Sequence, residues 1–237
     1  MAGWNTKKKF WKDATVAETQ AGFAVLLDGR GLKTPAKTPV VAPTKAIADA
    51  IAVEWDAQVE EIDPLSMPVT RWANAALDKV ALQHAEVADM LAEYGGTDLL
   101  CYRADNPREL AQRQAELWDP ILDWAADTLD ARLIPVQGVM FQSQDANTLE
   151  RLRLRTHRFS NFELAAFHDL VSLSGSLILG FAAVEKLRPN EELWSLSRLD
   201  ERWQEEQWGR DDEAHELAEI KKAAFLQAQK NFELCRV

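Results

Sequence analysis

Apolar positions alternate in short runs near the start of the chain and recur with a helical period after about residue 43. Residues 16–18, 23–27, 31–34 and 39–41 read as short strands. Gln20-Ala21-Gly22 and Asp28-Gly29-Arg30-Gly31 supply the turns between them, because Asp-Gly accepts the positive φ of a tight hairpin. Pro35, Pro39 and Pro43 confine the later strands to edges or ends. The period then lengthens. Ile47, Ala48, Ile51 and Trp55 share one side of a helix for which Thr44 is the expected N-cap. After a loop over residues 60–68, Trp72, Ala76, Val80, Val87 and Leu91 predict one long helix, stopped at Tyr94-Gly95-Gly96.

A further helix is expected from Asn106-Pro107-Arg108-Glu109, with Asn106 as cap, Pro107 in the first turn and Glu109 closing a capping box. Leu110, Leu117, Ile121 and Trp124 continue its apolar side. Residues 131–142 read as an extended linker. Helices are predicted over residues 146–158, 161–171, 175–187, 191–208 and 212–232, with a break at Gly209 and Asp211 and Asp212 at the start of the last. The pattern places the chain in the α+β class: a small antiparallel β-rich part with one helix over residues 1–66, then a larger helical bundle over 67–237.

The predicted helix 191–208 has two chemically distinct sides. Leu193, Leu196, Leu199 and Trp203 form a buried stripe. Trp194, Glu201, Glu205 and Trp208 fall in a second sector, with Asp200 and Gln204 at its margins. Large aromatics beside carboxylates suit a protein partner, although the same tryptophans also suit a second wall of core. Acid density is high here: nine Asp or Glu and two Arg between Asp200 and Glu219. Such a run is normally a solvated face; the interspersed tryptophans favour a binding surface.

Composition narrows the function. A net charge of −11 argues against general nucleic-acid binding, where phosphate repulsion would have to be overcome. The apolar share of 47% supports a sizeable core, yet no run reaches the roughly 18 residues that span a bilayer. The stretch 1–13 lacks an apolar signal core, so no leader is expected and a cytoplasmic or processed organellar protein follows. Cys101 and Cys235 form no paired motif, which points to a reduced chain.

Chemical motifs are sparse. Gly29-Arg30-Gly31-Leu32-Lys33-Thr34 lacks the spacing of a phosphate loop and leads into prolines, so a hairpin turn is expected. Asp211, His215 and Glu219 share one helix side but lack a second histidine, and neither metal nor cofactor is expected. His84, His157 and His168 stand apart. Ser172, Ser174 and Ser176 lack the order of a nucleophile elbow and are expected to permit close helix packing. Arg151, Arg155 and Arg158 form a basic stripe expected to pair with the chain's own carboxylates. No catalytic residue is assigned.

Six strings in order carry a resemblance: Val25 to Pro35, Glu54 to Gln58, Met67 to Asn74, Tyr94 to Tyr102, Trp118-Asp119-Pro120, and Leu199 to Gly209. Together they resemble the assembly chaperones for the alpha subunit of the F-type ATP synthase catalytic head, known in mitochondria as assembly factor two. The resemblance covers nearly the whole chain and looks like a bacterial, alphaproteobacterial member. It implies a non-catalytic chaperone, monomeric when free. Such a chaperone shields the alpha subunit's beta-facing surface until beta displaces it. The family's sensitive acidic position maps onto Asp200 or its neighbour Glu201, and Trp55 matches a second sensitive site with a structural role. Trp72, Gly29 and Gly95 are further structural expectations. Two alternatives remain: an oligomer-forming adaptor, and an enzyme using His215 with Asp211 or Cys101 with a distant histidine.

Overall fold

A computed structural model describes residues 8–237. The first seven residues of the lysine-clustered stretch on which the no-leader reading rests lie outside it. The chain divides into two compact units. One takes the chain up to Gln83 together with Asn161–Ala165 and Lys230–Val237; the other takes His84–Ser160 and Ala166–Gln229.

In the first unit, β1 (Ala14–Thr19) pairs antiparallel with β2 (Gly22–Leu27), and β2 also pairs with β3 (Arg30–Gly31) and β4 (Val41–Ala42). Val25 and Leu27, two apart on central β2, are buried, as period two requires. The β2–β3 turn is Asp28-Gly29, both at positive φ (48° and 76°), as a two-residue hairpin turn requires. The Asp28 carboxylate accepts from the backbone N–H of Lys12 and Asp13 and is held below its usual value, mainly by the Asp13 bond. Helix α1 (Lys45–Asp56) starts at Thr44, whose hydroxyl accepts from Ile47 N–H at 3.3 Å, and buries Ile47, Ala48, Ile51 and Ala52.

The expected long helix over residues 72–91 is two helices. α2 (Pro68–Asp78) and α3 (His84–Glu93) are separated by a 3₁₀ turn, Val80–Leu82. Val80, Val87 and Leu91 keep a spacing that survives the break, so periodicity does not register it. The boundary between the two units falls at the same place and leaves α2 in the first unit, beyond the boundary after residue 66 expected from the change of period. Glu54 explains that grouping. Its carboxylate accepts from Val69 N–H, Thr70 N–H and the Thr70 hydroxyl, each at 2.7 Å, and so caps α2 from α1.

The second unit is helical. After α3, Tyr94–Thr97 continues as a 3₁₀ turn, and neither Gly95 nor Gly96 has the positive φ of a glycine cap. β5 (Tyr102–Arg103) pairs in parallel with β6 (Val136–Gln137) across the long α4 (Arg108–Thr128). The expected cap at Asn106 is overturned. Pro107, in extended conformation, occupies the cap position with no side-chain cap bond, and the box with Glu109 does not form. The buried side of α4 centres on Gln114, Trp118, Ile121, Leu122 and Ala125, while Leu117 is exposed. The expected linker over 131–142 is extended but contributes β6.

Then come α5 (Ala146–His157), α6 (Asn161–Ser174), α7 (Leu177–Val184), α8 (Asn190–Ser197), α9 (Leu199–Trp208) and α10 (Asp212–Leu234). Every residue of α7 is buried. Ser176 caps it by accepting from Leu179 N–H at 3.0 Å, and Ser174 bonds back to Leu170 C=O at 2.7 Å. These serines serve helix ends. No helix among the described residues is long and apolar enough to cross a membrane.

Candidate functional site

The expected single helix over 191–208 is broken at Arg198, whose φ of −110° and ψ of 21° leave the helical range. Ser195 and Ser197 bond back to Glu191 C=O (2.8 Å) and Trp194 C=O (2.7 Å), and such back-bonding competes with helix propagation. The Ser-x-Ser run was the available sequence signal. The break removes Trp194 from the predicted face. Its ring is 5% exposed on α8 and lies 5.7 Å from the ring of Phe225. Leu193, Leu196 and Leu199 are buried as expected, whereas Trp203 is only half-buried.

The rest of the predicted face stays together on α9. Asp200, Glu201 and Glu205 are half-exposed and Gln204 is exposed. Trp208, at the helix end, is 79% exposed. Asp200 is held from below. Its carboxylate accepts from the amide of buried Gln114 at 2.7 Å, and the Gln114 carbonyl accepts from Ala104 N–H at 2.7 Å. Burial lowers the pKa of the nearby Arg103 guanidinium, while Asp119 and then Asp200 act against that shift. Arg103 donates to Asp119 at 2.7 Å and lies 5.2 Å from the ring centre of Trp118. Asp200 is thus a half-buried anchor on the side chain of buried Gln114.

Arg113 of α4 ties down the far side of α9. It donates to both carboxylate oxygens of Glu206 (2.9 and 2.7 Å) and stacks 4.8 Å from the Trp203 ring centre. Glu201 pairs with Arg198 at 2.6 Å on the surface, an arrangement worth about 0.2–1 kcal/mol. Among the described residues no ion pair involves Glu205. Gly209, at a φ of 90°, ends α9, and the Asp211 carboxylate accepts from Glu213 and Ala214 N–H to start α10. The arrangement is a rigidly backed helix presenting carboxylates and one uncovered indole.

The structural candidates fall as follows. Gly29 forms the hairpin turn described above. Trp72 is buried and its indole N–H donates to Phe162 C=O at 3.1 Å. Trp55 is half-buried, 5.0 Å from Trp11. Gly95 matters for space: a Cβ there would meet Leu177, Leu149 and Leu152 side chains at 3.2–3.4 Å. Two structural residues were not singled out from sequence. Glu54, beside Trp55, is the α2 cap. Asp98 is fully buried, accepting from Ser176 Oγ (2.7 Å), Leu100 N–H (3.0 Å) and Ile178 N–H (3.0 Å). Burial pushes its carboxyl up to about 6 against the opposing effect of those bonds.

The chemical alternatives lose ground. Cys101 is buried, and burial, with Asp98 adding, pushes its thiol up to about 12, far from a reactive thiolate. Asp211 and Glu219 are exposed beside half-exposed His215, and among the described residues no His, Cys, Asp or Glu group is arranged to hold a metal. Of the basic stripe, Arg151 pairs with Asp130 at 3.2 Å and Arg155 donates to Thr128 C=O at 3.3 Å. Arg153 pairs with Glu150 and Asp89.

Comparison with known proteins finds relatives along nearly the whole chain. A family model described as "ATP12 chaperone protein" matches residues 8–126. The mitochondrial protein atp12 of Schizosaccharomyces pombe is 27% identical over 222 residues, which cover 89% of this chain and 76% of that protein. The crystal structure of Atp12 from Paracoccus denitrificans is 47% identical with a TM-score of 0.95, covering 98% of this chain and 100% of that one. The Atu1473 protein from Agrobacterium tumefaciens is 43% identical with a TM-score of 0.89, covering 95% and 84%.

Proposed function

This chain belongs to the ATP12 chaperone family, and from that membership we propose that it assists assembly of the F-type ATP synthase by binding the free alpha subunit. The observation that carries the proposal is the exposed, rigidly backed α9, where Glu201, Gln204, Glu205 and Trp208 face outward and Asp200 is anchored at the margin. A subunit of an obligate ring exposes apolar interface before its neighbour arrives, and such surface aggregates or pairs wrongly. Trp208 supplies an aromatic anchor for that surface, and the carboxylates select a cationic border and speed encounter. The chaperone covers the beta-facing side of alpha and leaves when beta competes. It acts without catalysis or cofactor, as a monomer when free, in the cytoplasm of a bacterium. Trp194 takes no part in the contact, since its ring is buried.

Co-expression with the alpha subunit, followed by size-exclusion chromatography with light scattering, tests this reading. The expected result is a one-to-one complex with alpha, none with beta, and dispersal of the complex when beta is added. A folded chain that binds neither subunit overturns it.

A further inference from the structure

Beyond α9, one segment of the second unit exposes apolar side chains in a way no other described segment does. Val139, Met140 and Phe141 are 92%, 80% and 68% exposed. Among the described residues the other exposed large apolar side chains have no such neighbours in sequence, apart from Leu217 and Ile220 one turn apart on α10. Three in succession form a patch, and Met and Phe are residue types enriched at interfaces.

The segment is exposed from a fixed base. Gln144 closes the neck of its loop by accepting from Ile134 N–H at 2.8 Å and donating to Ile134 C=O at 3.0 Å. Gln137 pairs with Arg103 in the β5–β6 ladder, and Gly138 N–H donates to Arg103 C=O at 2.8 Å. Gly138 has a φ of 79°, the region that favours glycine, and a Cβ there would stand 2.8 Å from Asp105 Oδ2 and push that carboxylate aside. A loop tied at its base and neck has less conformational freedom to lose on binding than an untied one.

The base of the loop is continuous with the anchor of α9. Gly138 bonds to Arg103; the next residue, Ala104, bonds to Gln114; and Gln114 bonds to Asp200. This short polar chain ties the base of the loop to the anchor of the acidic helix. We propose that residues 139–141 and the outward face of α9 form one continuous client surface, the tip covering an apolar strip of the assembly interface while Glu201 and Glu205 meet cationic side chains at its border. The inference rests on the chaperone reading above and takes the same client, the free alpha subunit, as its occupant. The apolar tip supplies the shielding and the acidic helix supplies orientation.

The test is a pair of measurements on the full chain with purified alpha subunit. A variant carrying Val139→Ser, Met140→Ser and Phe141→Ser keeps Gly138, Gln144 and the β5–β6 pairing. Its dissociation constant is expected to rise at least tenfold with an unchanged thermal midpoint. In the wild-type complex, a photo-reactive benzophenone side chain in place of Phe141 is expected to cross-link to alpha. An unchanged affinity and no cross-link, with wild-type binding intact, overturn the inference and leave the chaperone reading standing. Cross-linking to a second copy of this chain overturns it in favour of self-association. Failure of the wild type to bind alpha overturns both.

Discussion

Helices α7 and α9 belong to the same compact unit and have eight and ten residues, but their side chains do opposite things. All of α7 is buried, whereas α9 buries only Leu199. α7 starts on a buried carboxylate, Asp98, whose oxygens are saturated by a hydroxyl and backbone N–H groups. α9 carries acidic residues that are spread toward solvent and only partly paired. Acid buried at α7 specifies where a helix begins. Acid exposed on α9 contributes little to stability, because water screens surface pairs, and remains available to a partner. The location of a carboxylate, more than its identity, separates architecture from recognition here.

The largest expected effect lies on the buried side. Trp118 is fully buried, and its indole N–H donates to Leu196 C=O at 3.0 Å. Trp118→Ala should cost about 3–5 kcal/mol through the cavity and the lost bond, enough to unfold a marginal domain. Urea unfolding reads this directly, and a loss under about 1 kcal/mol would break the contrast between core and face.

Next is Asp98→Asn. An amide placed against Ile178 N–H cannot accept there with its NH₂, so the cost is about 2 kcal/mol. The pH dependence is more diagnostic. Burial raises the Asp98 carboxyl from an ordinary 3.8 to about 6 in the fold. The native state therefore holds the proton more tightly, so this group's contribution is fullest below 3.8 and is lost as pH rises through about 6. The stability gap between wild type and Asp98→Asn should accordingly be wider near pH 4.5 than near pH 7. Parallel stability curves would show that Asp98 does not titrate as its burial requires.

Asp200 sharpens the comparison because it stands between the two cases. Asp200→Ala strips the acceptor from the amide of buried Gln114, at an expected cost of about 1–2 kcal/mol. Unlike Trp118→Ala and Asp98→Asn, it should also weaken binding of the alpha subunit. A variant that binds normally after losing this stability would confine Asp200 to a supporting role.

The smallest effects on stability belong to the exposed face. Glu201→Lys with Glu205→Lys, and separately Trp208→Ala, should each move stability by about 0.5 kcal/mol or less. Their binding of alpha should nevertheless fall at least tenfold. Calorimetry for stability and titration for affinity separate the two readouts. A double lysine variant that unfolds would make those glutamates structural and erase the distinction drawn between α7 and α9.

Much of the fold was legible because the signals are local. The Asp28-Gly29 turn, the Thr44 cap and the apolar side of α1 each depend on residues a few positions apart. The two missed breaks mark the limit of that locality. The spacing Val80, Val87, Leu91 runs through the 3₁₀ turn without changing phase, and the break at Arg198 left only serines as a signal, with neither glycine nor proline. Gly95 stood out in the sequence, but as a helix stop, when its importance is the contact with Leu149, Leu152 and Leu177.

By itself the sequence determined the α+β class, the hairpin turns, most helix positions and a dense acidic run punctuated by tryptophan. Together with the ordered family motifs, it also pointed to a chaperone. Only the tertiary structure decided which acids and indoles were spent inside. It buried Trp194 and left Trp208 bare, joined Asp98 to Ser176 across 78 positions and Asp200 to Gln114 across 86, and lifted Val139, Met140 and Phe141 on a pinned loop. The physical reason is one of range. Turn chemistry and helical period are set by neighbours in the chain, whereas burial and the saturation of polar groups are set by neighbours in space.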